Sequence, residues 1–313
     1  MLINSTSVAL LHCVRYRTRD IAERIDQLCA ALGFGVSSGT RVLLKPNLLS
    51  NRSAEHLACT HPAFVAAAAE WFVDQGAKVA IGDSPAFGTA KGVMRATGIE
   101  KALAGLPVES INFDRTTTVE LPGGVSVDIA CRALECDLLV NLPRVKAHSQ
   151  LYVTLAVKNY FGTVVGFQKP WWHLRYGKHA EEFASHLLDL LEVLPAGVTL
   201  LDGIVAMHGT GPISGQPFSL GLVGGAVNPV ALDTALLRIL GLDHARSALW
   251  QECVNRSLTG TDPVTLDYPL LKPAEFSVKG FKAPAILKPV SFNPLRMLLS
   301  GCRRFAARAK ESS

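Results

Sequence analysis

The sequence predicts an α/β fold with a mostly parallel, doubly wound sheet and helices on both faces. Short apolar runs, such as Arg41–Lys45 and Asp137–Val140, alternate with segments such as Thr18–Leu32 whose apolar residues recur at helical spacing. This alternation is typical of parallel strands joined by crossover helices. Breakers end the segments, with Gly33 after the first helix and Pro46 after the second strand.

The first half of the chain contains four of the predicted strands. These strands are Val8–Cys13, Arg41–Lys45, Lys78–Ile81 and Val108–Phe113. Helices are predicted at 18–32, at 63–75 and, in two pieces broken at Gly98, at 88–106. Two alternating runs, 118–121 and 125–129, flank Pro122-Gly-Gly124 and predict a small β-hairpin at the edge of the sheet.

The second half begins with the strand Asp137–Val140 and continues the alternation. We predict a loop over Asn141–His148, a helix over 151–161, an irregular segment at 164–177 and an amphipathic helix over 178–194. Strands at 198–202 and 218–224 and a helix at 229–240 follow. Residues 1–290 are predicted to form one domain, and residues 291–313 a basic amphipathic C-terminal helix or tail.

Composition excludes several classes of function. The 313 residues carry a net charge of +5, which is too mild to indicate nucleic-acid binding without a clustered basic patch. The seven cysteines are dispersed and form no CxxC pair, so their pattern indicates neither an iron–sulfur cluster nor a zinc site. We expect reduced thiols in a cytoplasmic protein, since neither a signal peptide nor an apolar stretch of membrane-spanning length is present.

Polar side chains collect where the predicted strands end. They are Lys45 and Asn47, then Asp83 and Ser84, then Asn141, Arg144, Lys146 and His148, and finally Asp202 and His208–Gly211. Ligands of open α/β sheets bind beyond the carboxyl ends of the strands. We therefore predict that these four loops line one crevice.

Three lysines, Lys45, Lys146 and Lys158, indicate an anionic ligand, because a lysine is seldom buried without a partner. The alternative is that each pairs with a structural carboxylate, such as Asp83 or Asp202. Uncharged groups are predicted to complete the substrate site: Asn47, Ser84, Asn141, Asn159, Gly209, Thr210 and Gly211. Three residues of the irregular segment form either a lid over the crevice or a packed surface loop: Trp171, Trp172 and His173.

His148 and His208 are the candidate groups for proton transfer, because imidazole titrates near neutral pH. Asp83 or Asp202 would orient the histidine. The same four side chains are also suitable ligands for a divalent metal, although no short-spaced metal motif is present.

Seven segments occur in an order that resembles a known family. They are Val42–Leu48, Gly82–Pro85, Asn141–His148, Val157–Gly162, Leu201–Ile204, Gly209–Pro212 and Asn228–Asp233. Together they are similar to the successive motifs of the DUF362 family, whose name records an unknown function. Many members of that family carry a ferredoxin-like domain with iron–sulfur clusters, and this chain lacks the cysteines for one. The resemblance implies a fold and a site, and it implies no reaction.

The leading prediction is an enzyme that acts on an anionic carboxylate or phosphate, with proton transfer by a histidine. One alternative is a non-catalytic carrier or redox-partner module that presents a metal, anion or cofactor to another protein. Its basic C-terminal helix would then contact an acidic protein or an anionic membrane surface. A further alternative is a metal-dependent isomerase or hydrolase at the same crevice.

Overall fold

The computed structural model describes residues 4–50, 57–166, 168–176 and 179–288. Its strands are β1 (Ala9–His12), β2 (Arg41–Pro46), β3 (Lys78–Ile81), β4 (Val108–Ser110), β5 (Thr116–Glu120), β6 (Ser126–Ala130), β7 (Leu138–Leu142), β8 (Arg144–His148), β9 (Tyr152–Thr154), β10 (Thr199–His208) and β11 (Gln216–Ala226). Its helices are α1 (Thr18–Ala31), α2 (Pro62–Asp74), α3 (Ala90–Thr97), α4 (Ile99–Ala102), α5 (Cys131–Glu135), α6 (Ala156–Asn159), α7 (Gln168–Arg175), α8 (Ala180–Val193), α9 (Pro229–Ile239) and α10 (Ala248–Asn255). The predicted C-terminal helix at 291–313 lies outside the described residues.

In the described part of the chain, nine strands form one sheet, with the order β1-β11-β10-β7-β2-β3-β4 and with β8 and β9 branching from β10. The pairs from β10 through β7, β2 and β3 to β4 are parallel, and β8 also runs parallel to β10. The pairs β1–β11, β10–β11 and β8–β9 are antiparallel. The predicted α/β fold with a mostly parallel sheet is confirmed.

Alternating side chains of the central strands divide the core into layers. Val42 and Leu44 pack into a cluster with residues of α1 and α2, whereas Leu43 packs into a second cluster with residues of α8. Because neighbouring side chains of a strand point to opposite faces, both faces of β2 are covered by helices. Within the described residues, no helix is long and apolar enough to cross a membrane.

The segment that was predicted as a loop and a helix, 141–161, folds differently. Residues of β8 and β9 pair in an antiparallel hairpin, with Lys146 opposite Thr154. The short helix α6 and the 3₁₀ turn Tyr160–Thr163 follow. The prediction was wrong because apolar spacing cannot separate a helix from a short buried strand.

Four further differences from the sequence prediction need correction. The hairpin β5–β6 forms its own two-stranded sheet rather than extending the main one. The segment predicted as irregular contains α7, and α10 was not predicted. Strand β10 extends beyond Asp202 to His208, because β11 pairs with it across a register shift between Gly203 and Val205.

Candidate functional site

Three basic side chains lie in a row on β8. Arg144, Lys146 and His148 alternate along the strand, so their side chains share one face, and all three are buried. The row faces the segment that follows β2: Arg144 Nη1 donates to the carbonyl of Cys59 at 3.0 Å, and Lys146 Nζ donates to the carbonyl of Ala58 at 3.0 Å. The structure thus brings β8 beside the segment that follows β2, two parts of the chain that the sequence predicts to share one crevice.

Lys45 forms a buried ion pair with Asp83. Lys45 Nζ lies 2.9 Å from Asp83 Oδ1 and also donates to the carbonyl of Pro46 at 3.2 Å. The other carboxylate oxygen of Asp83 accepts from the backbone N–H of Leu48 at 2.8 Å. Burial lowers the pKa of Lys45, and the Asp83 charge opposes that shift. For Lys45, the structural alternative of a carboxylate partner is therefore the one observed.

Lys146 has neutral partners instead of a carboxylate. Its ammonium donates to Asn47 Oδ1 at 2.6 Å as well as to the carbonyl of Ala58. Burial lowers the pKa of Lys146 to about 8, with opposing contributions from Cys59 and Asp83. At pH 7 Lys146 is therefore still mostly protonated, with two of its three N–H groups engaged.

Lys158 has the least support of the three lysines. Its side chain is 7% exposed, and its Nζ lies 3.9 Å from the ring centroid of Phe161 and 4.8 Å from that of Phe183. No carboxylate or hydrogen-bond acceptor of the described residues contacts it. A cation–π contact stabilises an ammonium by up to about 2 kcal/mol, whereas burying an ion costs several kcal/mol. The cost of burying the charge therefore exceeds the cation–π stabilisation. Burial, together with the charges of Lys169 and Lys146, lowers the pKa of Lys158 far below its usual range.

A row of buried amides connects Lys146 to the rest of the site. Asn47 Nδ2 donates to Asn159 Oδ1 at 2.7 Å, and Asn159 Nδ2 donates to Asn141 Oδ1 at 2.8 Å. Asn141 Nδ2 then donates to the carbonyl of Ala156 at 2.9 Å. The three predicted asparagines therefore lie together and satisfy one another. We call Asn47, Asn159 and Asn141 the amide row.

His148 is held as a neutral ring. Its Nδ1 accepts from the backbone N–H groups of Gln150 at 3.1 Å and Leu151 at 3.2 Å, so the ring proton must lie on Nε2. Burial and the charges of Lys158 and Lys146 lower its pKa well below the usual value. His148 therefore presents an N–H donor, rather than a free lone pair, to this part of the site.

The three residues predicted as a lid separate in the structure. Trp172 is 1% exposed and belongs to the apolar core, whereas Trp171 is 44% exposed, so the two do not form a common cover. His173 joins the site: its Nδ1 lies 2.7 Å from Gln150 Oε1, and its ring stacks on His148 with centroids 6.2 Å apart. The prediction is corrected because α7 directs these neighbouring side chains to different surroundings.

Asp202 stabilises a neighbouring part of the structure and does not orient His148. Its carboxylate accepts from Tyr16 Oη at 2.8 Å and from the backbone N–H of His61 at 3.0 Å, and it lies 3.9 Å from Arg144 Nε. These contacts join the loop after β1 and the start of α2 to the sheet. The predicted orienting role is corrected, because both carboxylate oxygens already have other partners.

His208 and the glycine-containing turn lie apart from the lysines. The His208 ring packs against Phe218 and Phe281, with centroids 5.2 Å and 6.1 Å apart. It follows Met207, the partner of Lys146 in the β8–β10 register, so it points to the opposite face. The prediction that His208 lines the crevice is therefore corrected.

The predicted substrate contacts of the turn are made within the protein. Gly209 N–H donates to the carbonyl of Lys282 at 2.6 Å, and Thr210 Oγ1 donates to the carbonyl of Ser214 at 3.0 Å. The Gly211 carbonyl accepts from the backbone N–H of Ser149 at 3.1 Å. The turn thus stabilises the β8–β9 hairpin through this backbone hydrogen bond.

The four side chains considered as metal ligands do not converge. Asp83 pairs with Lys45, Asp202 contacts Tyr16, and His208 packs on aromatic rings. Within the described residues, no group of three His, Cys, Asp or Glu side chains is arranged to hold a metal ion. The metal set of Asp83, His148, Asp202 and His208 is corrected accordingly.

Sequence reasoning missed three polar residues of the site: Gln150, Lys169 and Asp233. Lys169 Nζ donates to the carbonyls of Ser84 and Gly162, which places the predicted Ser84 beside it through its backbone. Lys169 lies in the segment that was predicted as irregular. Asp233 was within reach of sequence reasoning, because it ends the Asn228–Asp233 motif.

Asp233 holds the helix that carries Lys158. Its two carboxylate oxygens accept from the backbone N–H groups of Ala156 at 2.7 Å and Val157 at 3.3 Å. Burial raises the pKa of Asp233 to about 7, although these two hydrogen bonds oppose the shift. Asp233 thus positions α6, and its ionised form is costly in the folded protein.

Replacing Asp233 should change how stability depends on pH. Folding raises the pKa of Asp233, so the folded protein binds more protons than the unfolded chain between about pH 4 and pH 7. The stability that this bound proton contributes is lost as pH rises through 7. From pH 5 to pH 8 the wild type should lose about 2 to 3 kcal/mol of unfolding free energy relative to Asp233→Asn. Urea unfolding at both pH values measures the difference. Asp74→Asn, at an exposed position in α2, is the control and should follow the wild type; equal slopes in all three proteins would contradict the assignment.

The fold and the site define the class as an α/β protein with a buried, lysine-rich polar site at the carboxyl ends of its parallel strands. The profile of the family described as Domain of unknown function (DUF362) matches residues 42–238, which include every residue of this site from Lys45 to Asp233. The chain belongs to the DUF362 family. The resemblance seen in its motifs is thereby confirmed.

The proteins to which the chain is similar include a curated relative and two solved structures. A thylakoid-associated protein of Synechocystis sp. is 35% identical over 309 residues, covering 96% of this chain and 95% of the relative. The lactate racemase apoprotein of Thermoanaerobacterium thermosaccharolyticum is 14% identical, with a TM-score of 0.44, covering 75% of this chain and 57% of that one. A protein from Thermotoga maritima is 12% identical, with a TM-score of 0.46, covering 79% and 60%. The chain thus spans less than two thirds of either solved chain.

Proposed function

We propose that this chain is an enzyme that binds a small anionic molecule, a carboxylate or a phosphate, among its buried lysines. The observation that carries the proposal is Lys146, a buried and mostly protonated lysine whose hydrogen-bond partners among the described residues are all neutral, beside two other buried lysines. A buried cation is normally paired or hydrogen-bonded. An anion that enters beside Lys146 would supply the opposite charge.

The balance of charge supports the proposal. The Asp83 carboxylate offsets the charge of Lys45, and Asp202 lies beside Arg144. Lys146, whose pKa is about 8, keeps a positive charge, and its hydrogen-bond partners in the described part of the chain are neutral. One uncompensated buried charge favours a ligand with one negative charge at the contacting end.

Enzymatic action, rather than binding alone, is supported by the state of the neighbouring groups. Burial and neighbouring charges lower the pKa of His148, Lys158 and His173. Strongly shifted pKa values cluster at sites that carry out chemistry, because acids, bases and nucleophiles need them. An imidazole N–H donor and an amine with a lowered pKa are suited to a substrate with a polarised oxygen beside its anionic group.

Calorimetric titration with acetate and with inorganic phosphate tests the proposal. We expect at least one of the two anions to bind the wild type, and Lys146→Met to weaken that binding about 30-fold or more, because a charged hydrogen bond contributes about 2 to 3 kcal/mol. Above pH 8 the affinity should fall about tenfold per pH unit as Lys146 loses its proton. Lys78→Met removes an exposed lysine from the opposite end of β3 and should bind like the wild type. Equal affinity in Lys146→Met and wild type, or no binding of either anion, would overturn the proposal.

A further inference from the structure

The three buried lysines differ in what surrounds their nitrogen atoms. Lys45 has the Asp83 carboxylate at 2.9 Å, and Lys146 has two oxygen acceptors, at 2.6 Å and 3.0 Å. Lys158 instead lies over the rings of Phe161 and Phe183, without an oxygen acceptor from the described residues. The first two are arranged to keep a proton, and only Lys158 is arranged to lose one.

The surroundings of Lys158 also suit a nucleophile. A lysine becomes nucleophilic when it is desolvated in an apolar pocket or lies near other cations, since both conditions favour the neutral amine. Phe161 and Phe183 provide the apolar surface, and Lys146 and Lys169 are among the cations whose charges lower its pKa. At pH 7 the neutral form of Lys158 is therefore far more abundant than that of an exposed lysine.

The groups around Lys158 are suited to bind two different functional groups of one small molecule. Lys146 presents a positive charge that contacts no carboxylate of the described residues, and His148 presents its Nε2–H group. The His173 ring packs against the same two phenylalanines as Lys158, with centroids 5.8 Å from Phe161 and 4.9 Å from Phe183, and it stacks on His148. A carboxylate suits Lys146, a carbonyl oxygen suits the imidazole N–H, and the carbonyl carbon is then available to the amine.

We propose that Lys158 forms an imine with a 2-oxo acid whose carboxylate is bound by Lys146. The proposal rests on the proposed function, because it names the substrate class of the same site. Asp233 positions the amine of Lys158, because it holds the N-terminal end of α6 through Ala156 and Val157.

The step balances with the acid and the lysine alone. The Lys158 lone pair forms a bond to the carbonyl carbon, and the π electrons of the C=O bond move to oxygen, where His148 Nε2–H donates a hydrogen bond. The two amine protons pass to that oxygen, the C–O bond breaks, and water leaves as the C=N bond forms. The imine nitrogen then takes up one proton from solvent. The resulting iminium withdraws electrons from the adjacent carbon atoms.

Reductive trapping tests the inference on the intact 313-residue chain. At pH 7 we would incubate it with glyoxylate, the smallest 2-oxo acid, and sodium cyanoborohydride, and then map the modified peptides by mass spectrometry. Lys158 should gain the mass of the acid less one oxygen atom, at least tenfold faster than exposed Lys78. Acetate or phosphate, whichever binds, should slow labelling of Lys158 and not of Lys78.

Two variants separate chemistry from charge. Lys158→Arg keeps a cation and cannot form an imine, and Lys158→Met keeps the length without the nitrogen; neither should be labelled at this position. Lys146→Met should label more slowly at Lys158, whereas Lys78→Met should label at the wild-type rate. If anions bind the wild type but Lys158 is labelled no faster than Lys78, the imine is overturned while the proposed function stands. If neither binding nor labelling occurs, both are overturned.

Discussion

Asp83→Asn should lower the unfolding free energy by about 3 to 5 kcal/mol. The substitution keeps the shape of the side chain and an oxygen that can accept from the Leu48 N–H, but it removes the charge 2.9 Å from Lys45 Nζ. Lys45 is enclosed, so it must then either keep an uncompensated buried charge or lose its proton on folding. Removing one partner of a buried ion pair typically costs this much.

Urea unfolding at pH 7, with Glu100→Gln as the matched control, measures the effect. Glu100 pairs with Arg95 at the same distance of 2.9 Å, but both side chains are exposed, so the control should lose at most about 1 kcal/mol. The deficit of Asp83→Asn should also shrink towards pH 10, because the lowered pKa of Lys45 lets the folded wild type give up that proton as well, and the ion pair is then absent from both proteins. A deficit no larger than that of the control would show that the buried pair does not stabilise the fold.

Gly162→Ala should lower the unfolding free energy by a comparable amount, through steric overlap rather than through removal of a charge. A Cβ at Gly162 would overlap Asp83 Oδ1 and both Nζ and Cε of Lys45. These atoms belong to an enclosed ion pair and cannot move aside without separating. Overpacking a core typically costs about 1 to 3 kcal/mol, and loss of the pair adds to it, so we expect at least 3 kcal/mol and a loss of anion binding.

Gly35→Ala is the control for that substitution. A Cβ at Gly35 has no neighbour within 4 Å, and its backbone is not in the left-handed region. We expect a change within about 0.5 kcal/mol, or a slight stabilisation through the unfolded state. If thermal and urea unfolding show Gly162→Ala to be as stable as Gly35→Ala, the contact between Gly162 and the ion pair is not as close as the structure indicates.

The place of the site could be predicted from sequence because it follows from the order of strands. Parallel strands end at the same edge, so residues at or just beyond the ends of β2, β3 and β7 had to meet, and Lys45, Asp83 and Asn141 do. The same reasoning predicted Lys146 and His148 at that edge, although it treated their segment as a loop. Alternation along β8 then decides which of its side chains share a face.

The error at His208 and the missed residues have a common physical cause. Side chains along β10 point alternately to its two faces, so the position of His208 in that alternation decides whether it faces the lysines. The register of β10 against β11 shifts between Gly203 and Val205, upstream of His208. Such a shift depends on pairing with β11, a contact between distant segments that local spacing does not encode. Gln150 was missed for a related reason: it follows β8 in a turn that is held by the Nδ1 atom of His148.

The amide row has a direction, and that direction has an electrostatic consequence. Lys146 can only donate and the Ala156 carbonyl can only accept, so every amide between them turns its oxygen towards the lysine. Three aligned dipoles therefore place their negative ends on the side of Lys146 without adding a formal charge. A carboxylate at Asn47 would neutralise Lys146 permanently. The neutral amide row favours the protonated state of Lys146, and the full positive charge of Lys146 remains available to a bound ligand.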